Sequence, residues 1–224
     1  KGMGRAIVME LAANNYNITF CARDEKQVQA LLDELRKGYP RLLFFGMRAD
    51  MEQSSDVSEF AEFAEKSLGH VDVLINNAGL YIPSELMNED ERCLERQMQV
   101  NLFSPHFLSK FFAAKMIGQG KGHIINICSI ASLEPVTRAG SYSISKTALL
   151  GLTKALREEL RPAGVKVTAV LPGSTLTDSW SGTGLPSDWF ILSQDIAKSI
   201  INCLQMSSGA NIDEIIIRPL YGKV

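Results

Sequence analysis

Cysteine and histidine are scarce in this chain, and neither is clustered. The four cysteines have no paired spacing, and the three histidines are scattered over 224 residues. A disulfide framework requires paired cysteines, and a structural zinc site requires Cys and His ligands at short, regular spacings. The sequence therefore predicts reduced thiols and no metal site.

A long hydrophobic run and an excess of one charge are also missing. No apolar run reaches the ~18 residues that a membrane span requires, and residues 1–5 do not form the start of a secretory signal. The 23 basic and 25 acidic side chains leave a net charge of −2, which argues against a nucleic-acid-binding surface. We therefore expect a cytoplasmic protein with no membrane or nucleic-acid partner.

What the sequence does contain is a regular alternation of short apolar runs with helical patterns. The runs are near-continuous, as expected for strands covered on both faces, and they span residues 17–22, 42–47, 71–76, 123–128, 165–171 and 214–217. The helical patterns span residues 5–13, 25–37, 54–68, 89–115, 142–161 and 194–204. This alternation predicts one α/β domain over residues 1–224, with a doubly wound, Rossmann-type parallel sheet in three α/β/α layers.

The pattern is incomplete at its front. A helical stretch follows the first residues directly, without a strand before it. A doubly wound sheet needs its central first strand, so we expect that a strand within roughly 10 residues and the start of a glycine loop belong before Lys1.

The opening segment has the composition of a phosphate-binding loop. Residues Lys1 to Gly4 include Gly2 and Met3 and lead straight into the helix. A Gly-x-Gly at a helix start lets the backbone approach a pyrophosphate, and the helix N-terminus supplies N–H donors. An ordinary glycine turn is the alternative for this stretch.

Two further polar stretches follow predicted strands, at the edge where ligands of such sheets bind. Asp50, followed by Met51, comes after the second strand, and its carboxylate can accept a hydrogen bond from an adenine amino group. Capping of the next helix is the alternative for Asp50. Asn77, Ala78 and Gly79 follow the third strand, where small residues allow a flat ring or a ribose to approach. A plain Asn/Gly turn is the alternative there.

A tyrosine and a lysine share one face of a long predicted helix. Tyr142 and Lys146 are four residues apart, which places them on adjacent turns. A phenol has a pKa of about 10, and a nearby ammonium group lowers that pKa toward the range useful for general acid–base catalysis. Ser129 ends the preceding strand, and its hydroxyl could join Tyr142 in polarising a carbonyl oxygen.

These features together resemble the short-chain dehydrogenase/reductase family, and the resemblance extends from Gly2 to the C-terminus. Two further matches are Asn101 in a Val-Asn-Leu run and a Pro-Gly pair after the fifth strand. The resemblance implies that the serine, tyrosine and lysine are catalytic and that Asn101 completes a tetrad, holding a water for proton relay. It also implies a dinucleotide site made of Lys1, Gly2, Met3, Gly4, Arg23, Asp50, Met51, Asn77, Ala78, Gly79, Val100, Tyr142, Lys146, Pro172, Gly173, Thr175 and Thr177.

The end of the first predicted strand indicates which dinucleotide is bound. Family members that prefer NAD tend to have Asp at the position of Ala22, where it binds the ribose 2′-hydroxyl. Here Arg23 follows instead, and its guanidinium can pair with the 2′-phosphate of NADP, with Lys1 adding positive charge. Asp24 is expected to cap the helix that begins at Glu25. The resemblance therefore implies NADP.

The activity implied is reduction of a carbonyl group in a small organic substrate by hydride transfer from NADPH. Residues 213–219 are similar to the ending of bacterial sepiapterin-reductase-like members, which favours a pterin side chain or a diketone. A 3-oxoacyl-carrier-protein reductase is the alternative enzyme, although such enzymes usually have Gly-Gly where this chain has Arg218 and Pro219. A non-catalytic NADP-binding regulatory protein is the alternative from another class.

Self-association is also expected. Helices over residues 102–115 and 142–161 pack against symmetry mates across this family, and the first is rich in aromatic residues. Closed two-fold symmetry is the commonest arrangement of identical subunits. The expected assembly is therefore a homodimer or a homotetramer.

Overall fold

All strand pairs among the residues that the structure describes are parallel, the arrangement in which near-continuous apolar runs are expected. The computed structural model describes residues 2–176 and 186–221, so Lys1 and Thr177 lie outside the described residues. The strands are β1 (Ile18–Ala22), β2 (Phe44–Arg48), β3 (Val73–Asn76), β4 (Gly122–Ile127), β5 (Val165–Pro172) and β6 (Glu214–Ile217). The helices are α1 (Gly2–Ala13), α2 (Glu25–Gly38), α3 (Ser54–Leu68), α4 (Cys93–Met98), α5 (Ser104–Gln119), α6 (Gly140–Leu160) and α7 (Ser193–Leu204).

The helices form a layer on each face of the sheet. Helices α1, α2 and α7 bury residues such as Leu35 and Ile196 against one face. Helices α3, α5 and α6 bury residues such as Phe112 and Met116 against the other. The predicted three-layer Rossmann-type architecture is therefore confirmed, and the strand ends differ from the predicted ones by no more than two residues.

The prediction of a single helix over residues 89–115 is wrong at its start and in its middle. The helical segment begins at Cys93, and a π-helical turn over Gln99–Phe103 separates α4 from α5. Pro105 has no N–H to donate to the carbonyl of Asn101 four residues earlier, so the α-helical ladder cannot pass through this point. The interruption turns Asn101 into the interior, where its side chain is fully buried. π turns of this kind are frequent at functional sites.

The sheet is divided between β1 and β3. β1 pairs with β2, while β3, β4, β5 and β6 form a separate four-stranded group. A cavity of about 630 Å³ lies between β1 and β3, bounded also by residues of α1 and α3. The buried side-chain oxygens of Thr19, Asn76 and Asn77 line this cavity and have no hydrogen-bond partner among the described residues. We call the part of the cavity between β1 and β3 the slot.

Candidate active site

The predicted site residues lie at the carboxyl ends of the parallel strands, on one edge of the molecule. Gly79 follows β3, Ser129 follows β4 and Gly173 follows β5. The first two turns of α6 bring Tyr142 and Lys146 to the same edge. Ligands of open α/β sheets bind at this edge, because the loops that leave the strands diverge there.

The glycine stretch brings the start of α1 against the end of β3. Gly2 has a φ of +62°, a conformation that favours glycine. A Cβ atom on Gly4 would stand 2.8 Å from Asn77 Nδ2, so a side chain here would require the Asn77 amide to move. Met3 between them packs against the core of α1, α2 and α7. The N-terminus of α1 is thereby held beside the Asn-Asn-Ala-Gly stretch, in a position suited to a pyrophosphate.

The cavity gathers half of the predicted dinucleotide site. It is lined by Gly4, Arg23, Asp50, Met51, Asn77, Ala78, Gly79 and Val100, among others. A Cβ on Gly79 would stand 3.6 Å from both Asn101 Oδ1 and Lys146 Nζ. Gly79 therefore lies between the cavity and the side chains of Asn101 and Lys146. The small residues and hydrogen-bonding groups along this part of the lining fit a dinucleotide.

The predicted capping role of Asp24 is confirmed, and Arg23 lines the cavity. The Asp24 carboxylate caps α2 and accepts hydrogen bonds from the backbone N–H of Lys26 at 2.9 Å and of Gln27 at 3.2 Å. These bonds, that of Gln27 first, lower the pKa of Asp24. Arg23 is exposed at the rim of the cavity. The carboxylate of Asp24 is thus engaged in the cap of α2, and Arg23 lies beside it at the cavity rim.

Asp50 is not the cap of α3. Gln53 occupies that cap position, whereas Asp50 Oδ1 accepts a hydrogen bond at 3.1 Å from the backbone N–H of Glu52 in its own loop. The backbone N–H of Asp50 donates to Asp56 at 2.8 Å. The loop therefore holds Asp50 on the cavity wall, and the capping alternative is excluded.

The Tyr142 phenol and the Lys146 ammonium lie close together at the start of α6. Lys146 Nζ is 5.9 Å from the centre of the Tyr142 ring and donates to the Ile127 carbonyl at 2.8 Å. Lys146 is only 3% exposed, and desolvation lowers its pKa to about 8. Ser129 is buried, and its hydroxyl also accepts from the backbone N–H of Ala131 at 3.1 Å. Serine, phenol and ammonium therefore form one compact group.

The expected lowering of the Tyr142 pKa by Lys146 is wrong for this structure. Desolvation by burial is the largest effect and raises the pKa of Tyr142, while a hydrogen bond with the Ser129 side chain acts in the opposite direction. The charges of Cys128 and Tyr81 raise it further. Removal of water from the phenolate therefore outweighs the hydrogen bond with Ser129. The phenol accordingly stays protonated at neutral pH, which is the form a general acid needs.

Asn101 holds the loop that follows β3. Its Oδ1 accepts from the Leu80 N–H at 2.8 Å, and its Nδ2 donates to the Leu80 carbonyl at 2.9 Å. Nδ2 also donates to Ser145 Oγ at 2.9 Å, and Ser145 Oγ donates to the carbonyl of Tyr142 at 2.8 Å. Asn101 thus connects the β3 loop with the helical turn that carries the phenol.

Of the residues predicted at the end of the fifth strand, Pro172 is the last of β5, and Gly173 and Thr175 follow it. The N–H of Gly173 donates to the Ile217 carbonyl at 2.8 Å, which ties the end of β5 to β6. Thr175 is buried, and its hydroxyl donates to the Gly173 carbonyl at 3.0 Å. Pro172, Gly173 and Thr175 therefore lie at the same sheet edge as the catalytic group, with the threonine hydroxyl turned to its own backbone.

Sequence reasoning missed three residues of this region. Ser145 links Asn101 with Tyr142, and Gln97 Oε1 accepts from the Ile82 N–H at 3.1 Å. Tyr81 packs its ring against that of Tyr142. Ser145 could have been found from its place inside the Tyr-x-x-x-Lys motif, whereas nothing in the local pattern marks Gln97 or Tyr81.

Neither a metal-binding cluster nor a membrane-spanning helix occurs in the described part of the chain. Across residues 2–176 and 186–221, no group of three or more His, Cys, Asp or Glu side chains could hold a metal ion. Within the same described ranges, the helices are too short or too polar to span a bilayer.

Comparison with known proteins agrees with this geometry. An uncharacterized oxidoreductase from Staphylococcus saprophyticus is 29% identical over 219 residues, which make up 98% of this chain and 93% of that protein. A metagenomic short-chain oxidoreductase in complex with NADP superposes with a TM-score of 0.84 at 29% identity, covering 98% of this chain and 92% of that one. An acetoin dehydrogenase from Salmonella typhimurium superposes with a TM-score of 0.86 at 26% identity, covering 97% and 90% respectively.

The family follows from a match that includes the whole candidate site. The model of the family described as short chain dehydrogenase matches residues 1–185. That range contains the glycine stretch, the cavity residues and the serine, tyrosine and lysine of the catalytic group. This chain therefore belongs to the short-chain dehydrogenase family and is an oxidoreductase.

Proposed function

We propose that this protein is an NADP-dependent carbonyl reductase. The observation that carries the proposal is the catalytic group itself: a protonated phenol, a buried serine hydroxyl and a buried ammonium lie together beside a glycine-walled cavity. A bound NADPH would supply the hydride for the carbonyl carbon. Further support comes from the complex of a related metagenomic short-chain oxidoreductase with NADP.

Each residue of the catalytic group has a separate task in the reduction. The Ser129 hydroxyl donates a hydrogen bond to the carbonyl oxygen and places it beside the phenol. The Tyr142 hydroxyl gives its proton to that oxygen as negative charge develops there. Lys146 then stabilises the phenolate that remains, and it also binds ribose. Asn101 holds the β3 loop against α6 and supports the proton relay.

The substrate class that we propose is a small organic carbonyl compound of the diketone or pterin side-chain type. Acetoin, named for the related Salmonella enzyme, is a small hydroxyketone. The similarity of residues 213–219 to sepiapterin-reductase-like endings supports a pterin. A 3-oxoacyl-carrier-protein substrate is less well supported, because Arg218 and Pro219 replace the usual Gly-Gly. In this structure Arg218 pairs with Glu134 at 3.3 Å.

The experiment that tests the proposal is the loss of absorbance at 340 nm when NADPH meets a panel of diketones, pterins and 3-oxoacyl compounds. Turnover of a diketone or a pterin supports the carbonyl reductase. Preference for the 3-oxoacyl compounds supports the alternative enzyme. NADPH binding without turnover of any compound would indicate a regulatory protein.

Four free cysteines, three of them buried, agree with the cytoplasmic location that we also propose.

A homodimer or homotetramer is the assembly that we propose. On α5, Phe107 is 41% exposed, and its ring stacks on Phe111 with centroids 6.3 Å apart. Exposed aromatic pairs of this kind are enriched in subunit interfaces. Light scattering at micromolar concentration is expected to give two or four times the mass of one chain. Phe107→Arg should lower that mass, whereas Leu43→Arg, at an exposed residue outside α5, should not. A monomer mass for the unchanged protein contradicts the proposal.

We also propose that the slot receives a parallel β-strand formed by residues before Lys1. β1 and β3 each have a paired neighbour on one side and the slot on the other. The start of α1 lies beside Asn77 at the carboxyl edge, so a parallel strand in the slot would end next to α1. A strand there would complete a right-handed strand–helix–strand crossover through α1 to β1.

Hydrogen exchange tests this proposal. Adding the natural preceding residues to the chain is expected to slow amide exchange in β1 and β3, because their free edges become paired. Exchange in β5, which already has neighbours on both sides, serves as the control and should change little. If amide exchange in β1 and in β3 is the same with and without the added residues, the slot takes no strand.

A further inference from the structure

Tyr81 places an aromatic ring directly against the catalytic phenol. The centroids of the Tyr81 and Tyr142 rings are 5.0 Å apart, and their planes cross at 80°. This is the edge-to-face arrangement in which aromatic pairs attract each other. Tyr81 is nevertheless 52% exposed, so part of its surface is free to contact a substrate.

The backbone on both sides of Tyr81 is held by buried amide side chains. Asn101 binds both the N–H and the carbonyl of Leu80, and Gln97 Oε1 accepts from the N–H of Ile82. Asn101 and Gln97 are both fully buried. Because the backbone is fixed at both neighbours, the backbone of Tyr81 has little freedom to move. Its half-exposed ring is held from this fixed point against Tyr142.

The rest of the same loop is fastened to the start of α6. The N–H of Ser84 donates to the Arg138 carbonyl at 2.9 Å. The Glu89 carboxylate accepts hydrogen bonds from Ser84 and from Ser141, the residue before Tyr142. These bonds lower the pKa of Glu89, that from Ser141 most. The loop and the phenol therefore form one unit, and the distance between the two rings is set by the fold.

We propose that Tyr81 is a specificity-determining residue whose ring binds a flat, apolar substituent on the substrate carbonyl. A carbonyl oxygen that receives a proton from Tyr142 brings its substituents near Tyr81, whose ring centre lies 5.0 Å from that of Tyr142. Aromatic groups pack well at centroid separations of about 4.5–7 Å. The inference rests on the proposed carbonyl reduction and names its preferred substrates: ketones and diketones with an aryl group next to the reacting carbonyl.

A matched pair of diketones tests this inference. The specificity constant kcat/KM is measured for phenylpropanedione, which carries an aryl group beside its carbonyl, and is divided by the value for butanedione, which lacks that group. Tyr81→Ala is expected to lower this ratio about tenfold, the size of one lost aromatic contact. Tyr81→Phe retains the ring and is expected to keep the ratio. An unchanged ratio in Tyr81→Ala, or an equal loss in Tyr81→Phe, overturns the assignment of the ring.

Binding distinguishes failure of this inference from failure of the proposed function. The dissociation constant for phenylpropanedione is measured by calorimetry on NADPH-loaded Tyr142→Phe, with and without Tyr81→Ala. Weaker binding in the double variant supports the role of Tyr81 even where the unchanged protein reduces neither diketone, a result that would refute only the carbonyl reductase. Equal binding in both variants refutes the role of Tyr81.

Discussion

Tyr142→Phe is expected to lower kcat at least ~10²-fold while leaving the dissociation constant for NADPH nearly unchanged. The phenol hydroxyl carries the proton that the carbonyl oxygen needs, and phenylalanine removes that proton without changing the space filled by the ring. Burial raises the pKa of Tyr142, so the unchanged enzyme holds this proton throughout the neutral range. Turnover is measured at 340 nm, and NADPH affinity by fluorescence titration.

The control for this substitution is Tyr39→Phe. Tyr39 lies at the end of α2, where its ring packs edge-to-face on Phe44. Loss of its hydroxyl removes a phenol of the same type that does not line the cavity, so kcat should stay close to that of the unchanged protein. Wild-type turnover in Tyr142→Phe would refute the assignment of the general acid.

The unmutated protein is expected to prefer NADPH over NADH by at least about tenfold. Arg23→Ala is expected to remove most of this preference. The preference arises because a charge-assisted hydrogen bond contributes ~1.5–3 kcal/mol, and a guanidinium can pair with the 2′-phosphate in a bidentate manner. Asp24 does not oppose this contact, since its carboxylate is occupied by the N-terminal N–H groups of α2. The values of kcat/KM and the dissociation constants for both cofactors are to be compared.

The matched control is Arg41→Ala. Arg41 is also exposed, but it precedes β2 and therefore lies at the amino end of the sheet, away from the cavity rim. Its removal changes the net charge equally and should leave the ratio of the two cofactors unaltered. Equal efficiency with NADH and NADPH in the unmutated protein would mean that the end of β1 does not select the cofactor.

Local spacing was sufficient to predict most of the fold and the core of the candidate site. Strand positions follow from short apolar runs because a strand buried on both faces must be apolar along its whole length. The pairing of Tyr142 with Lys146 follows from their spacing of four, which the geometry of a helix places on one face. Such features depend on neighbours in the chain, so they can be read without knowing the tertiary structure.

The site properties that were mispredicted or missed depend on segments far apart in sequence. The direction of the Tyr142 pKa shift is set by desolvation, which is the sum of all groups packed around the phenol. The fixed position of Tyr81 depends on Asn101 and Gln97, whose side chains reach across from the α4–α5 segment. No local pattern carries this information.

The sequence by itself determined the order of strands and helices, the candidate catalytic side chains and the glycine stretch at the start of α1. Tertiary structure alone decided that β1 and β3 face each other across the slot, that a π turn faces Asn101 inward, and that an aromatic ring stands beside the phenol. The physical reason is that periodicity records which face of an element is buried. Burial, hydrogen bonding and the resulting pKa shifts depend on which elements meet, and the chain determines those contacts only when it folds.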